Sequence, residues 1–227
     1  MNSYLQSPAR NQTTSLSFYK KLQFQILNEE DPSVVAQSGV AVLLNPDNFA
    51  RPGLVFHRAS WDKEVAQLEK TRRVHTQPDG HLVADPSGVW IYLKTTATPI
   101  SSLPETGSIL GKYAGVCLET ADIQRSLELY QTLGFETDKG DAEHGWVACK
   151  NGDGMGISLM GPCCCPHLFF NPSLTYFNGG QNLPVIKAIR EAGIPIAEEI
   201  THFNEEGVVD NVVLRDPGGL GMFIFND

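Results

Sequence analysis

Positive charge is scarce in this 227-residue chain: 17 Lys and Arg stand against 26 Asp and Glu, a formal net charge of −9. Nucleic acids and anionic membrane surfaces both demand clustered cations, so neither is an expected partner. No apolar run is long enough to span a bilayer, and the opening MNSYLQSPARNQTT has no apolar signal core, so a cytoplasmic protein is expected. Cysteine is sparse and odd in number; three of the five are adjacent, Cys163, Cys164 and Cys165. That pattern does not suit a secreted disulfide framework and fits reduced thiols. Adjacent cysteines diverge too far to share one zinc tetrahedron, and a disulfide between neighbours is strained. The cluster therefore reads as small loop residues packed near a pocket. The G-x-S-x-G elbow and any Ser-His-Asp spacing are missing as well. The glycine-rich NGDGMG (residues 151–156) has no helix start behind it, so no phosphate loop is implied.

What the chain does have is an internal echo. AGVCLETADIQRSLELYQTLGF, Ala114 to Phe135, reads as an alternating strand, a capped amphipathic helix and a glycine-terminated turn. SLSFYKKLQF, Ser15 to Phe24, repeats its core, matching Ser15 to Ser126, Tyr19 to Tyr130 and Leu22 to Leu133. ADPSGVWIYL closes the first half and RDPGGLGMFI the second. Order and similarity together indicate a duplication. With 41% hydrophobic residues there is apolar material for packed cores. The matched serines lie 111 positions apart and the matched aspartates, Asp85 and Asp216, 131 apart. The second half therefore carries about 20 extra residues, expected in the CCCPHLFFNP loop and in Glu198–Gly207.

Each half reads as strand–helix–strands, twice. In the first, a strand at Ser3–Pro8 precedes a helix capped by Asn11, Thr13 or Thr14, and Ser60 is expected to cap a second helix over Trp61–Thr71. Leu54–His57, His81–Ala84 and Val89–Leu93 read as strands, the last two joined at the Asp85-Pro-Ser-Gly turn. In the second half, helices are expected over Asp122–Leu133 and Leu183–Ala192, with closing strands over Val208–Leu214 and Met222–Phe225. TTATPISSLPETGSILG, Thr95 to Gly111, lacks any sustained period and reads as the linker.

A strand, a helix carrying S-L-x-[FL]-Y-x-x-L-[GQ]-F and a closing D-P-x-G strand, in that order and twice over, resemble the glyoxalase / bleomycin-resistance / extradiol-dioxygenase (vicinal oxygen chelate) superfamily. The resemblance implies an α+β fold of tandem glyoxalase-like domains, residues 1–94 and 112–227 around a linker at 95–111. Each domain would pair two βαβββ modules into a curved mixed sheet around a cavity. It also implies a divalent metal held by His, Glu or Gln from the first, fifth and eighth strands. Here Tyr92 and Phe223 stand where the eighth-strand glutamates belong. The first-strand position falls near Tyr4 and Gly115, and the fifth-strand position near Gly53 and near Ser173 or Leu174. None is a good ligand. His57, at the end of a fifth strand, reads either as a cavity contact or as a rim residue. Glu119 shares a strand face with Gly115 and Cys117 and reads either as a cavity acid or as a surface one.

Aromatic rings replace the ligands. Trp90 and Tyr92 share one face of a closing strand, Phe223 and Phe225 share one face of the other, and Tyr4 and Tyr176 are expected to join them. The expected ligand-binding set is thus Tyr4, His57, Trp90, Tyr92, Glu119, Tyr176 and Phe223, with no catalytic residue named, no metal and no cofactor. The implied function is binding of a small, partly aromatic molecule without a metal, as bleomycin-resistance proteins sequester theirs, by a monomer or homodimer. The alternative is a metal-dependent lyase, isomerase or dioxygenase related to lactoylglutathione lyase, for which a divalent metal would be the cofactor. A third class is an interaction module whose cavities are filled by side chains.

Overall fold

The computed structural model describes residues 2–96, 100 and 102–226. Met1, Asp227 and residues 97–99 and 101 of the expected linker lie outside the described residues. The first half comprises β1 (Asn2–Pro8), α1 (Gln12–Lys21), β2 (Gln25–Asn28), β3 (Ser33–Gln37), β4 (Val40–Asn45), β5 (Gly53–His57), α2 (Asp62–Leu68), β6 (His75–Gln77), β7 (Gly80–Ala84) and β8 (Trp90–Lys94). The second comprises β9 (Tyr113–Glu119), α3 (Ile123–Thr132), β10 (Phe135–Asp141), β11 (Trp146–Asn151), β12 (Gly156–Met160), β13 (Ser173–Phe177), α4 (Asn182–Glu191), β14 (Ile196–Ile200), β15 (Asn211–Arg215) and β16 (Gly221–Phe225). Among the described residues no helix is long and apolar enough to cross a membrane.

Each half forms one eight-stranded sheet, ordered β2-β3-β4-β1-β5-β8-β7-β6 and β10-β11-β12-β9-β13-β16-β15-β14. Two βαβββ modules meet in each sheet through antiparallel first strands, β1 with β5 and β9 with β13. Within each module the first and last strands run parallel, β1 with β4 and β5 with β8, and the helix makes the crossover. The fold is α+β and tandem, as the repeat implied.

Local chemistry sets the helix ends. Asn11 caps α1 by accepting the Thr14 N–H, and Asp122 caps α3 by accepting the Arg125 N–H. Gly134, at φ +95°, stops α3 in the left-handed conformation. Three expectations shift. Helix α2 spans Asp62–Leu68 rather than Trp61–Thr71, with Trp61, not Ser60, at its N-cap. The Ser60 hydroxyl accepts the Asp62 N–H from outside. The strand expected at Val208–Leu214 begins at Asn211, because Asn204 closes a loop onto both the carbonyl and the N–H of Val208.

Alternation gives every strand two faces. One face of both sheets enters a single apolar core that runs through both halves, with Leu5, Phe56 and Ile91 from the first and Val116, Leu174 and Met222 from the second. Phe56 meets Phe135 across the halves at 5.4 Å between ring centroids. Two crossed hydrogen bonds pin the halves. Tyr19 on α1 donates to Asp216 of the second closing turn at 2.8 Å, and Tyr130 on α3 donates to Asp85 of the first at 3.4 Å. Each aspartate uses its other oxygen to accept backbone N–H groups of its own turn, Ser87 and Val89 or Gly218 and Leu220. The opposite face of each sheet is its cavity face.

Candidate functional site

On the first sheet the register aligns Tyr4, Val55 and Tyr92 in one row and Gln6, Gly53 and Trp90 in the next. Tyr4 and Tyr92 are 2% and 5% exposed and pack with Leu43, Val55 and Leu82, while Trp90 and Ile100 close the cluster's edge. The Tyr92 ring lies 6.0 Å from Trp90, and its hydroxyl accepts the Arg51 N–H at 3.3 Å. Burial raises the Tyr92 phenol above its ordinary pKa, with that N–H opposing. Gly53 is required by this packing, since a Cβ there would overlap the Trp90 carbonyl and press on the Tyr92 ring. His57 stands one row further along, opposite Lys94, with Nε2 buried and no hydrogen-bond partner.

On the same face opens a groove of about 1290 Å³, bordered by Gln6, Leu43, Asn45, Val55, Asp79 and Lys94, while Tyr4, His57, Trp90 and Tyr92 lie outside its lining. Its polar walls are braced. Gln6 donates to the Arg51 carbonyl at 3.1 Å and accepts from Asn45 at 2.9 Å. Lys94 pairs with Asp79 at 2.6 Å.

On the equivalent face of the second sheet, rings from two connections gather over the strands. Here Gly115, Thr175 and Phe223 share a row, and Cys117, Ser173 and Gly221 share the next. The connection between β12 and β13, which contains the three adjacent cysteines, brings His167 to 4.4 Å from the Phe223 ring. The connection between β14 and β15 brings Phe203 to 5.6 Å from Phe225 and 6.3 Å from His167. Phe170 packs into the same cluster under the Arg215 guanidinium. Both connections are those where extra residues were expected. Thr175 donates to the Cys117 sulfur at 2.9 Å, and burial raises that thiol's pKa. Burial pushes the Cys165 thiol up to about 11, with the charges of Glu119, Cys117 and Cys164 acting in the same direction.

These donor sets do not fit the superfamily's metal. Rows of Tyr4, Val55 and Tyr92 or of Gly115, Thr175 and Phe223 offer no imidazole and no carboxylate. His57 lies on the first face and Glu119 and His167 on the second, and among the described residues no three His, Cys, Asp or Glu side chains are grouped to hold an ion.

Of the residues singled out by sequence, Tyr4, His57, Trp90 and Tyr92 gather on the first cavity face. Glu119 and Phe223 lie on the second, Glu119 half-buried and Phe223 beneath His167. Tyr176 is a correction: it lies on the core face, fully buried, where its hydroxyl accepts from Gln37 at 2.8 Å. Its neighbour Thr175 occupies the cavity face, so alternation turns Tyr176 away. Gln6 was missed although period two from Tyr4 would have found it. Arg51 sits in a loop, where no periodicity points to a site.

At the level of sequence no family model matches the chain, and no curated protein matches it. Solved structures do share its fold. The 2,3-dioxygenase LapB from Pseudomonas sp. KL28 superposes with a TM-score of 0.54 at 15% identity, covering 100% of this chain and 91% of that one. Homoprotocatechuate 2,3-dioxygenase from Brevibacterium fuscum, in complex with 3,4-dihydroxyphenylacetate, gives 0.52 at 16% identity, covering 99% and 80%. The Mn(II)-bound glyoxalase from Novosphingobium aromaticivorans gives 0.51 at 14%, covering 97% and 79%. The chain therefore has the tandem α+β fold of these two dioxygenases and this glyoxalase.

Proposed function

We propose that this protein binds a small, partly aromatic molecule on the cavity face of its first sheet, without a metal. The observation that carries the reading is the contrast of faces: one holds an open groove of about 1290 Å³ over Leu43 and Val55, and the other is packed with rings. An apolar floor with a few braced polar groups on its walls is the usual build of a small-molecule site. Gln6, Asn45 and the Lys94–Asp79 pair supply those polar groups. Five cysteines without a disulfide among them support a reducing, cytoplasmic setting. A metal-dependent lyase, isomerase or dioxygenase would need donors that the aligned rows do not offer.

Titration of the full chain with 2-naphthol tests the reading. One saturable site is expected, weakened about 10-fold or more by Thr76→Trp, which places an indole from an exposed groove position into that space. Absence of binding, or binding indifferent to Thr76→Trp, would count against it. Elemental analysis after dialysis against zinc, manganese or iron is the companion measurement. Near-stoichiometric metal would revive the enzyme reading.

A further inference from the structure

We propose that the edge of the first cavity face is an anion site for the carboxylate of a small planar aromatic acid, an inference that rests on the first-sheet binding reading. A pocket of about 250 Å³ lies there, lined by Arg72, Arg73, His75, Leu82, Ala84 and Trp90. Three of the six are cationic or can become so, and none is acidic, in a chain of net charge −9. Among the described residues no carboxylate forms an ion pair with Arg72 or Arg73. The Arg72 Nε is buried with no hydrogen-bond partner, a donor whose desolvation is uncompensated within the fold. Burial first and the nearby Arg125 charge second hold the Arg72 guanidinium below its ordinary pKa, against Asp85 and Glu128. An incoming anion relieves both costs.

The shape of the pocket selects the rest of the ligand. A planar guanidinium fork matches a carboxylate through two parallel N–H bonds. Trp90 is half-buried, with the Arg51 guanidinium 4.9 Å over its ring, and Leu82 and Ala84 add apolar wall. A flat ring attached to the carboxylate would rest on these surfaces. Trp90 and Leu82 pack in the same cluster as Leu43 and Val55 of the groove, so the pocket and the groove open on the same face of the first sheet.

Calorimetric titration of the full chain with benzoate, its neutral amide benzamide, and acetate is the test. Benzoate is expected to bind about 10-fold tighter than benzamide, the usual worth of a charge-assisted hydrogen bond. Arg73→Gln, at an exposed position outside the helices and strands, should remove that preference, so that benzoate binds the variant no more tightly than benzamide does, and Arg72→Gln should do the same. Equal binding of benzoate and benzamide would overturn the anion site and spare the first-sheet reading. Acetate binding as tightly as benzoate would overturn the aromatic part. No binding of either ring compound would overturn this proposal, and the first-sheet reading would then stand or fall with the 2-naphthol titration.

Discussion

Where the fifth and eighth strands of each half meet, the first sheet sets Val55 beside Tyr92 and the second sets Thr175 beside Phe223. The strands are paired alike, yet the space above them differs completely. Over the first, short connections leave a groove of about 1290 Å³. Over the second, two longer connections fold back and spend their rings, His167 and Phe203, on covering Phe223 and Phe225. The sheet dictates which residues line a cavity face. The loops decide whether that face is a site or a second core.

The largest effects should come from what the halves share. Asp216→Ala leaves Gly218 N–H, Leu220 N–H and the Tyr19 hydroxyl without their acceptor, a loss on the order of 4 kcal/mol in chemical denaturation. Asp85→Ala should cost less, because its bond from Tyr130 is longer, 3.4 Å against 2.8 Å. Equal losses would show the two braces to be equivalent despite their geometry.

Next comes the plug. Phe223→Ala should cost about 3 kcal/mol of stability and change no ligand affinity, as expected for a buried ring removed from packing. Trp90→Ala should instead weaken binding of a flat ligand by about 1–3 kcal/mol while the fold persists. If Trp90→Ala proves the more destabilising and no flat ligand binds wild type, both faces are cores and the comparison collapses.

The smallest effect is a dependence on pH. Burial raises the Asp216 carboxyl above its ordinary 3.8, so the folded state favours the protonated acid. A raised carboxyl contributes stability that is present below 3.8 and lost as pH rises through the folded value. Wild type should therefore gain on Asp216→Asn as pH falls from neutral towards 4, read from denaturation midpoints of the pair. A difference that grows in the opposite direction would mean that the turn N–H groups outweigh burial.

Much of this architecture was legible. The Tyr19 and Tyr130 echoes and the Asp85 and Asp216 turns marked the duplication, and Asn11, Asp122 and Gly134 marked helix ends through local chemistry that needs no tertiary context. What no residue announced was that each echo answers the other across the halves. Tyr176 was misplaced because β13 is buried on both faces over Ser173–Tyr176, so no polar alternation reveals its phase. That Arg72 and Arg73 line one pocket with Trp90 depends on where a loop after α2 lands, and sequence spacing carries no such information.

The crossed tyrosine–aspartate bonds are the contacts of a two-fold dimer, each half giving a tyrosine and receiving one, here carried on a single polypeptide. Two identical subunits must treat their cavities alike, because one gene writes both. Joined in one chain, the halves keep the interface they need, while the faces pointing away from it are released from that obligation. One cavity can then be sacrificed to rigidity and its twin kept empty, a division of labour that symmetry would forbid.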